Sequence, residues 1–328
     1  MKDFIFFGGI GWCGTSSLWY TLQHLQPYLF TGSRKETFYL SALDHYNTEG
    51  FLNLEKHIAE NQLTYGVAKK GKGSVCSEYS TLAKAEIDTN KEQATYQAPP
   101  SLKTYIEYYL ELSRASDKYF KCVSDFSNAN AFVSTSLIRE ANKELSKYFN
   151  VKSIIIFRDP VRRLFSQIGS NYYHRKTLTY DKNLINNPVE RYVKNFLSTT
   201  DLRNIPWIDY AKQIKEYRSV FGEDLHLSIM EEFFNNPEDC VNNPSVIEMG
   251  KFLNYKIQKV YPCAFVPDKG INAPHIECLE DQYLSDGEPL TPEMYQFCFD
   301  KMKFIYEEFK DVYGYLPEGW GEPIDYGY

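Results

Sequence analysis

Residues 3 to 22 constrain the fold more than any other stretch: Asp-Phe-Ile-Phe-Phe-Gly-Gly-Ile-Gly-Trp-Cys-Gly-Thr-Ser-Ser-Leu-Trp-Tyr-Thr-Leu. An apolar run, Phe4 to Phe7, meets glycines at once. A helical pattern follows, with Leu18, Leu22 and Leu25 in spacing before Pro27. The order is strand, tight loop, helix. A glycine loop feeding a helix start aims several backbone N–H groups at one spot, where the helix dipole also favours negative charge. Gly9, four residues, then Gly14-Thr15-Ser16 has the spacing of the nucleoside-triphosphate loop, but Thr15 stands where that motif carries lysine. The spacing points to a phosphate-like ligand and away from an ATPase or GTPase. An ordinary glycine-rich βα turn stays open at this point.

The rest of the chain repeats the alternation. Strand patterns fall at residues 119–124, at 151–157 and at 225–230, and residues 33–40 read as a second strand or a loop entering one. Ile154-Ile155-Ile156 is the continuous apolar run expected of a parallel sheet covered on both faces. Helical spacing falls at 51–58, 102–112, 133–145, from Pro160 to about residue 173, at 208–217 and at 246–253. The clearest helix is the last. Thr291 caps it, Pro292 opens it, Met294, Cys298, Met302, Ile305, Phe309 and Val312 make one stripe, and Gly314 stops it. Strands alternating with helices predict an α/β fold, a doubly wound, mainly parallel sheet flanked by helices. With no repeat and no linker, residues 1–328 read as one domain. Stretch 41–118 reads as an insertion over one face of the sheet. The basic loop Ala68-Lys69-Lys70-Gly71-Lys72-Gly73 reads as a solvated turn.

The formal net charge of −7 disfavours a nucleic-acid backbone as partner. Seven cysteines, without a CxxC pair or Cys/His ligand spacing, favour reduced thiols over disulfides or a zinc site. No apolar run approaches the roughly 20 residues of a membrane span, and the N-terminal run is too short for a signal peptide. The expectation is a soluble, cytoplasmic protein. Nothing in the sequence reports an oligomeric state.

Two further constellations carry chemistry. Arg158 sits just past the end of a buried strand, with Asp159 to N-cap and Pro160 to open the next helix. Ser166 lies eight residues on. A guanidinium fork with a hydroxyl near a helix start makes a phosphate clamp. Arg162 and Arg163 read as cover for the helix surface. The other constellation is Lys35-Glu36. A carboxylate beside a lysine can act as general base toward a hydroxyl while the lysine supports developing negative charge; such a pair is equally the form of a surface ion pair.

Together these residues resemble the PAPS-dependent sulfotransferases, which transfer a sulfuryl group from 3′-phosphoadenosine 5′-phosphosulfate to an acceptor. The stretch Gly9-Ile10-Gly11-Trp12-Cys13-Gly14-Thr15-Ser16-Ser17-Leu18 is similar to the family's loop for the 5′-phosphosulfate. The run from Phe157 through Arg158-Asp159-Pro160 to Ser166 is similar to its element for the 3′-phosphate. Lys35-Glu36-Thr37-Phe38-Tyr39 resembles the Lys-Glu-x-His-Phe-Phe segment of the heparan-type carbohydrate members, whose glutamate is the base; threonine replaces the histidine here. Weaker similarity runs through Asp125-Phe126-Ser127, residues 221–237 and residues 247–253. Lys269-Gly270-Ile271-Asn272 resembles the late loop that closes over the nucleotide. The resemblance leaves residues 41–118 and 171–206 unmatched, which implies insertions that build the acceptor side of the cleft, with Tyr172, Tyr173, His174 and Arg175 as candidates there.

The resemblance implies a P-loop-like sulfotransferase fold, PAPS as co-substrate with PAP as product, no metal, and an acceptor with a free hydroxyl, a saccharide by the Lys-Glu segment. It implies donor contacts from Gly11, Trp12, Cys13, Gly14, Thr15, Ser16, Ser17, Arg158, Ser166, Lys269 and Gly270, with Glu36 as base and Lys35 beside it. One departure stands out. The family's loop carries lysine two residues before Gly-Thr, where this chain has Trp12. Lys35 or Lys121 could supply that charge, Trp12 could stack on a substrate ring, or the chain could bind PAP(S) without catalysis. A kinase with a degenerate nucleoside-triphosphate loop is the third reading.

Overall fold

The structure, a computed structural model, describes residues 1–25, 28–31, 39–49, 101–167, 189–260, 264–266, 271–273 and 291–322. Five strands form the central sheet: β1 (Lys2–Phe7), β2 (Leu29–Phe30), β3 (Cys122–Asp125), β4 (Phe149–Phe157) and β5 (Leu225–Ile229). Every pair is parallel and the order is β2-β3-β1-β4-β5. β6 (Ala264–Val266) and β7 (Ile271–Ala273) form a separate antiparallel pair. The expected strands at 119–124, 151–157 and 225–230 are β3, β4 and β5. Of residues 33–40, expected as a second strand or a loop entering one, only Tyr39 and Leu40 are described. The second strand is Leu29–Phe30, and Tyr39 and Leu40 begin a helix; residues 32–38 lie outside the described residues.

The helices are α1 (Thr15–Tyr20), continued by a π-helical turn over Thr21–Leu25; α2 (Tyr39–Glu49); α3 (Leu102–Ser116); α4 (Thr135–Leu145); α5 (160–167); α6 (Val189–Thr199); α7 (Tyr210–Phe221); the single turn α8 (Met230–Phe233); α9 (Pro244–Leu253); and α10 (Pro292–Tyr313). Their ends follow local chemistry. Ser101 accepts from the Thr104 amide at the start of α3, and Thr291 accepts from the Met294 amide at the start of α10. Pro292 opens α10 and Gly314 closes it at φ 110.

Alternate residues of the strands face opposite ways. Phe4 meets Tyr109 of α3, Phe6 meets Tyr217 and Phe221 of α7, and Phe157 meets Tyr210 of α7 and Phe309 of α10, with centroids 4.9 to 6.2 Å apart. The other face carries Lys152, whose ammonium lies 5.7 Å from the Phe252 ring of α9. Helices therefore cover both faces, and the sheet is doubly wound.

The strand order locates the crevice. The chain leaves β1 toward β2 on one side and leaves β4 toward β5 on the other. Adjacent strands whose connections diverge leave a gap beyond their C-terminal ends, where open α/β sheets take ligands. β1 and β4 are neighbours, with Phe7 opposite Ile154. The two segments beyond those ends are the glycine loop and Arg158-Asp159. Sequence positions about 150 apart thus meet at one gap.

Candidate functional site

The loop after β1 is held by its carbonyl groups. The Asn130 amide donates to Phe7 O at 3.2 Å, and the Gln213 amide donates to Gly8 O. Arg163 Nε donates to Gly11 O at 3.0 Å, and Arg158 Nη1 reaches Trp12 O at 3.4 Å. Among the described residues no peptide bond is cis. In a trans peptide the carbonyl and the next N–H point opposite ways. Drawing Gly8 O and Gly11 O into the scaffold therefore turns the Gly9 and Trp12 amides away from it. Among the described residues, no hydrogen bond takes the backbone N–H of any residue from Gly9 to Trp12. Gly9, Ile10 and Gly11 are buried. A buried N–H without a partner costs about 1–3 kcal/mol, so a run of them reads as a cradle for an acceptor, above all an anion.

Two glycines make the loop possible. A Cβ on Gly8 would lie 2.2 Å from the Tyr217 ring. Gly14 has φ +73, and a Cβ there would lie 3.0 Å from Met230. Trp12 has φ 64 and is 36% exposed. A bulky side chain in the left-handed region is strained, by about 1 kcal/mol or more, and such strain clusters at functional sites. Cys13 is fully buried, with its sulfur 4.0 Å from Tyr210 Oη, and burial raises its pKa. Thr15 and Ser17 are buried and Ser16 is half-buried, all in the first turn of α1.

Across the gap, Arg158 Nη1 donates to Ser166 Oγ at 2.6 Å. Asp159 Oδ1 caps α5 by accepting from the Arg162 amide at 2.9 Å. Asp159 Oδ2 accepts from Tyr295 at 2.7 Å, Tyr306 at 3.2 Å and the Gly321 amide at 3.3 Å. Glu231 of α8 accepts from the Asp159 amide at 3.0 Å and from Trp320 Nε1 at 3.1 Å. Burial raises the Glu231 pKa, opposed by the nearby Arg158 charge. Tyr210 Oη donates to Arg158 O at 3.0 Å. The corner is thus fixed on several sides by α7, α8, α10 and the segment after α10.

One expectation is overturned. Arg162 and Arg163 do not cover the helix surface: they are 6% and 1% exposed. Arg162 lies over the Tyr295 ring, 5.7 Å from its centroid, and reaches Gly319 O. Arg163 lies 4.7 Å from the Trp207 ring centroid while holding Gly11 O. α5 is buried almost all round from Pro160 to Phe165, so it has no polar face for them. Asn130, Gln213, Tyr210, Glu231 and Trp320 were not singled out from the sequence. The available signal was weak: amide side chains on otherwise apolar helical faces.

The structure brings together Gly11, Trp12, Cys13, Gly14, Thr15, Ser16 and Ser17 with Arg158 and Ser166. Lys35, Glu36, Lys269 and Gly270 lie outside the described residues, as do 51–100 and Tyr172 to Arg175. Among the described residues, no group of three or more His, Cys, Asp or Glu side chains comes together, and no helix is long and apolar enough to cross a membrane. The described cysteines Cys13, Cys122, Cys240 and Cys298 are buried free thiols.

No family model matches the chain, and no curated protein matches it. Among solved structures, one similar chain is a sulfotransferase from Alicyclobacillus acidocaldarius, 17% identical over 98% of this chain and 99% of that one, with a TM-score of 0.48. A likeness of that size does not carry an activity across.

Proposed function

We propose that this chain is a PAPS-dependent sulfotransferase whose acceptor is a hydroxyl on a saccharide. The observation that carries the reading is the meeting, at the gap between β1 and β4, of two anion-binding devices with different chemistry. One is a run of backbone amides from Gly9 to Trp12 with no protein acceptor among the described residues. The other is the Arg158–Ser166 pair, at 2.6 Å. That arrangement suits a ligand with two separate phosphate-bearing positions, and PAPS, with its 3′-phosphate and 5′-phosphosulfate, is such a ligand. The sequence resemblance supplies the identity of the donor.

In this reading Gly11 to Ser17 hold the 5′-phosphosulfate, Arg158 and Ser166 hold the 3′-phosphate, and Lys269 and Gly270 close over the nucleotide. Glu36 takes the proton from the acceptor hydroxyl. The acceptor oxygen forms a bond to sulfur as the bond from sulfur to the 5′-phosphate oxygen breaks in line, and PAP leaves. Lys35 supports the charge that develops. The chain's part is positioning and electrostatic stabilisation, the usual larger share in transfer of a charged group. The test is transfer of labelled sulfuryl from PAPS to a panel of saccharides. Labelled product is expected from wild type, with a large loss in Glu36→Gln. Full turnover by Glu36→Gln would remove Glu36 as base.

Trp12 favours a second reading. Where the family has lysine, this loop presents an exposed, strained aromatic with no charge. A protein that binds PAP(S) and transfers nothing would fit that residue. Tight PAP binding with no transfer to any acceptor would select it.

A further inference from the structure

We propose that Arg163 is the buried counter-charge of the bound phosphates and supplies from beneath the loop the positive charge that Trp12 does not carry. The proposal rests on the functional reading above for the identity of the ligand. It rests on four independent facts for the residue. Arg163 is 1% exposed and is among the largest fully buried side chains of the described residues. Its Nε holds Gly11 O at 3.0 Å, so its guanidinium lies directly under the loop. Among the described residues it makes no ion pair, and its Nη1 is buried with no hydrogen-bond partner. Its charge is also felt by the thiol of Cys13, the residue after Trp12.

A buried cation normally finds a carboxylate, because an unpaired charge in a low-dielectric interior is costly. The Trp207 ring, 4.7 Å from the guanidinium carbon, offsets part of that cost. A ring carries no net charge and leaves the rest unbalanced. The amides directly above, from Gly9 to Trp12, have no protein acceptor among the described residues. An anion on those amides gives the amides an acceptor and the guanidinium a counter-charge across the loop. Arg163 then acts in two ways. Its hydrogen bond fixes the Gly11 carbonyl and so turns the Trp12 amide outward. Its charge attracts the anion through a medium of low dielectric constant, where attraction falls off slowly. It is a positioning residue: it acts through the loop, and no contact of its own with the transferred group is invoked.

The test uses full-length protein, the variants Arg163→Met and Arg163→Lys, and calorimetric titration with PAP, with inorganic pyrophosphate and with adenosine. Arg163→Met is expected to weaken PAP and pyrophosphate about 30-fold, the scale of a lost charge-assisted interaction, and to change adenosine less than about 3-fold. Arg163→Lys keeps the charge and is expected to stay within about 5-fold of wild type for every ligand. A merely structural role would weaken all three ligands alike. That outcome, unchanged anion affinity in Arg163→Met, or a Lys variant as impaired as the Met variant, overturns the proposal. If Arg163→Met does not fold, the Lys variant decides alone, and loss of its anion binding overturns the proposal. Pyrophosphate separates the two readings. A wild type that binds pyrophosphate but not PAP ends the sulfotransferase reading and leaves Arg163 tested on pyrophosphate. Binding of neither ends both.

Discussion

The loop after β1 and the corner after β4 border the same gap but offer positive charge in opposite ways. The loop does it with backbone. Its carbonyls are tied down by Asn130, Gln213, Arg163 and Arg158, and its amides are what remain. The corner does it with side chains, and Arg158 is set by Ser166 while its own carbonyl is held by Tyr210. A backbone device depends on where glycine is and tolerates an odd residue such as Trp12. A side-chain device depends on single atoms and tolerates little. Substitutions in the two regions should therefore fail in different ways.

The largest effect is expected at Gly8. A methyl group there would sit 2.2 Å from Tyr217, a ring already packed on Phe6 and Phe221. Gly8→Ala should lower stability by about 3 kcal/mol, read as a shift in urea midpoint. An unshifted midpoint would show that the loop yields more easily than the packing implies. Arg158→Met comes next. It should leave stability within about 1 kcal/mol of wild type and weaken PAP about 30-fold by calorimetry, a loss of about 2 kcal/mol. Ser166→Ala removes one hydroxyl from the clamp and should weaken PAP about 5-fold, on the scale of one hydrogen bond of about 1 kcal/mol.

The smallest effect is a control away from the gap. His226 of β5 stacks on Phe252 at 5.3 Å, and burial lowers its pKa to about 4. The folded protein keeps this imidazole neutral, while the unfolded chain protonates it below its ordinary pKa of 6.5. Stability from this residue is therefore full above pH 6.5 and is lost as pH falls from 6.5 toward 4. The ring is only half-buried, so about 1 kcal/mol is expected. His226→Phe should flatten that part of the curve in urea titrations at several pH values and leave PAP affinity unchanged.

How much of this was legible in the sequence differs between the two regions as well. β1, β4 and α10 could be read because continuous apolar runs, a capping threonine and a terminal glycine announce themselves locally. The short β2 could not, because two residues after a proline carry no period, and of the stretch 33–40, which reads as a second strand or a loop entering one, Tyr39 and Leu40 begin a helix. The closeness of Arg158 and Ser166 was legible because they lie eight residues apart across one strand-to-helix junction. The burial of Arg162 and Arg163 was not: it comes from α7, α10 and the Trp207 turn closing over α5, and no periodicity within α5 encodes its neighbours. The carbonyl ties from Asn130 and Gln213 were invisible for the same reason, being contacts across more than 120 residues. Lys35 and Glu36, on which the proposed chemistry turns, rest on the resemblance of their segment.

The central claim is that the gap between β1 and β4 takes one ligand by two phosphate ends. The most direct measurement is calorimetric titration of wild type and Arg158→Met with PAP and with 5′-AMP, which lacks the 3′-phosphate. The account predicts that wild type prefers PAP by about 30-fold and that Arg158→Met abolishes the preference while keeping 5′-AMP binding. Equal affinity of wild type for the two nucleotides, or a preference that survives in Arg158→Met, would contradict it.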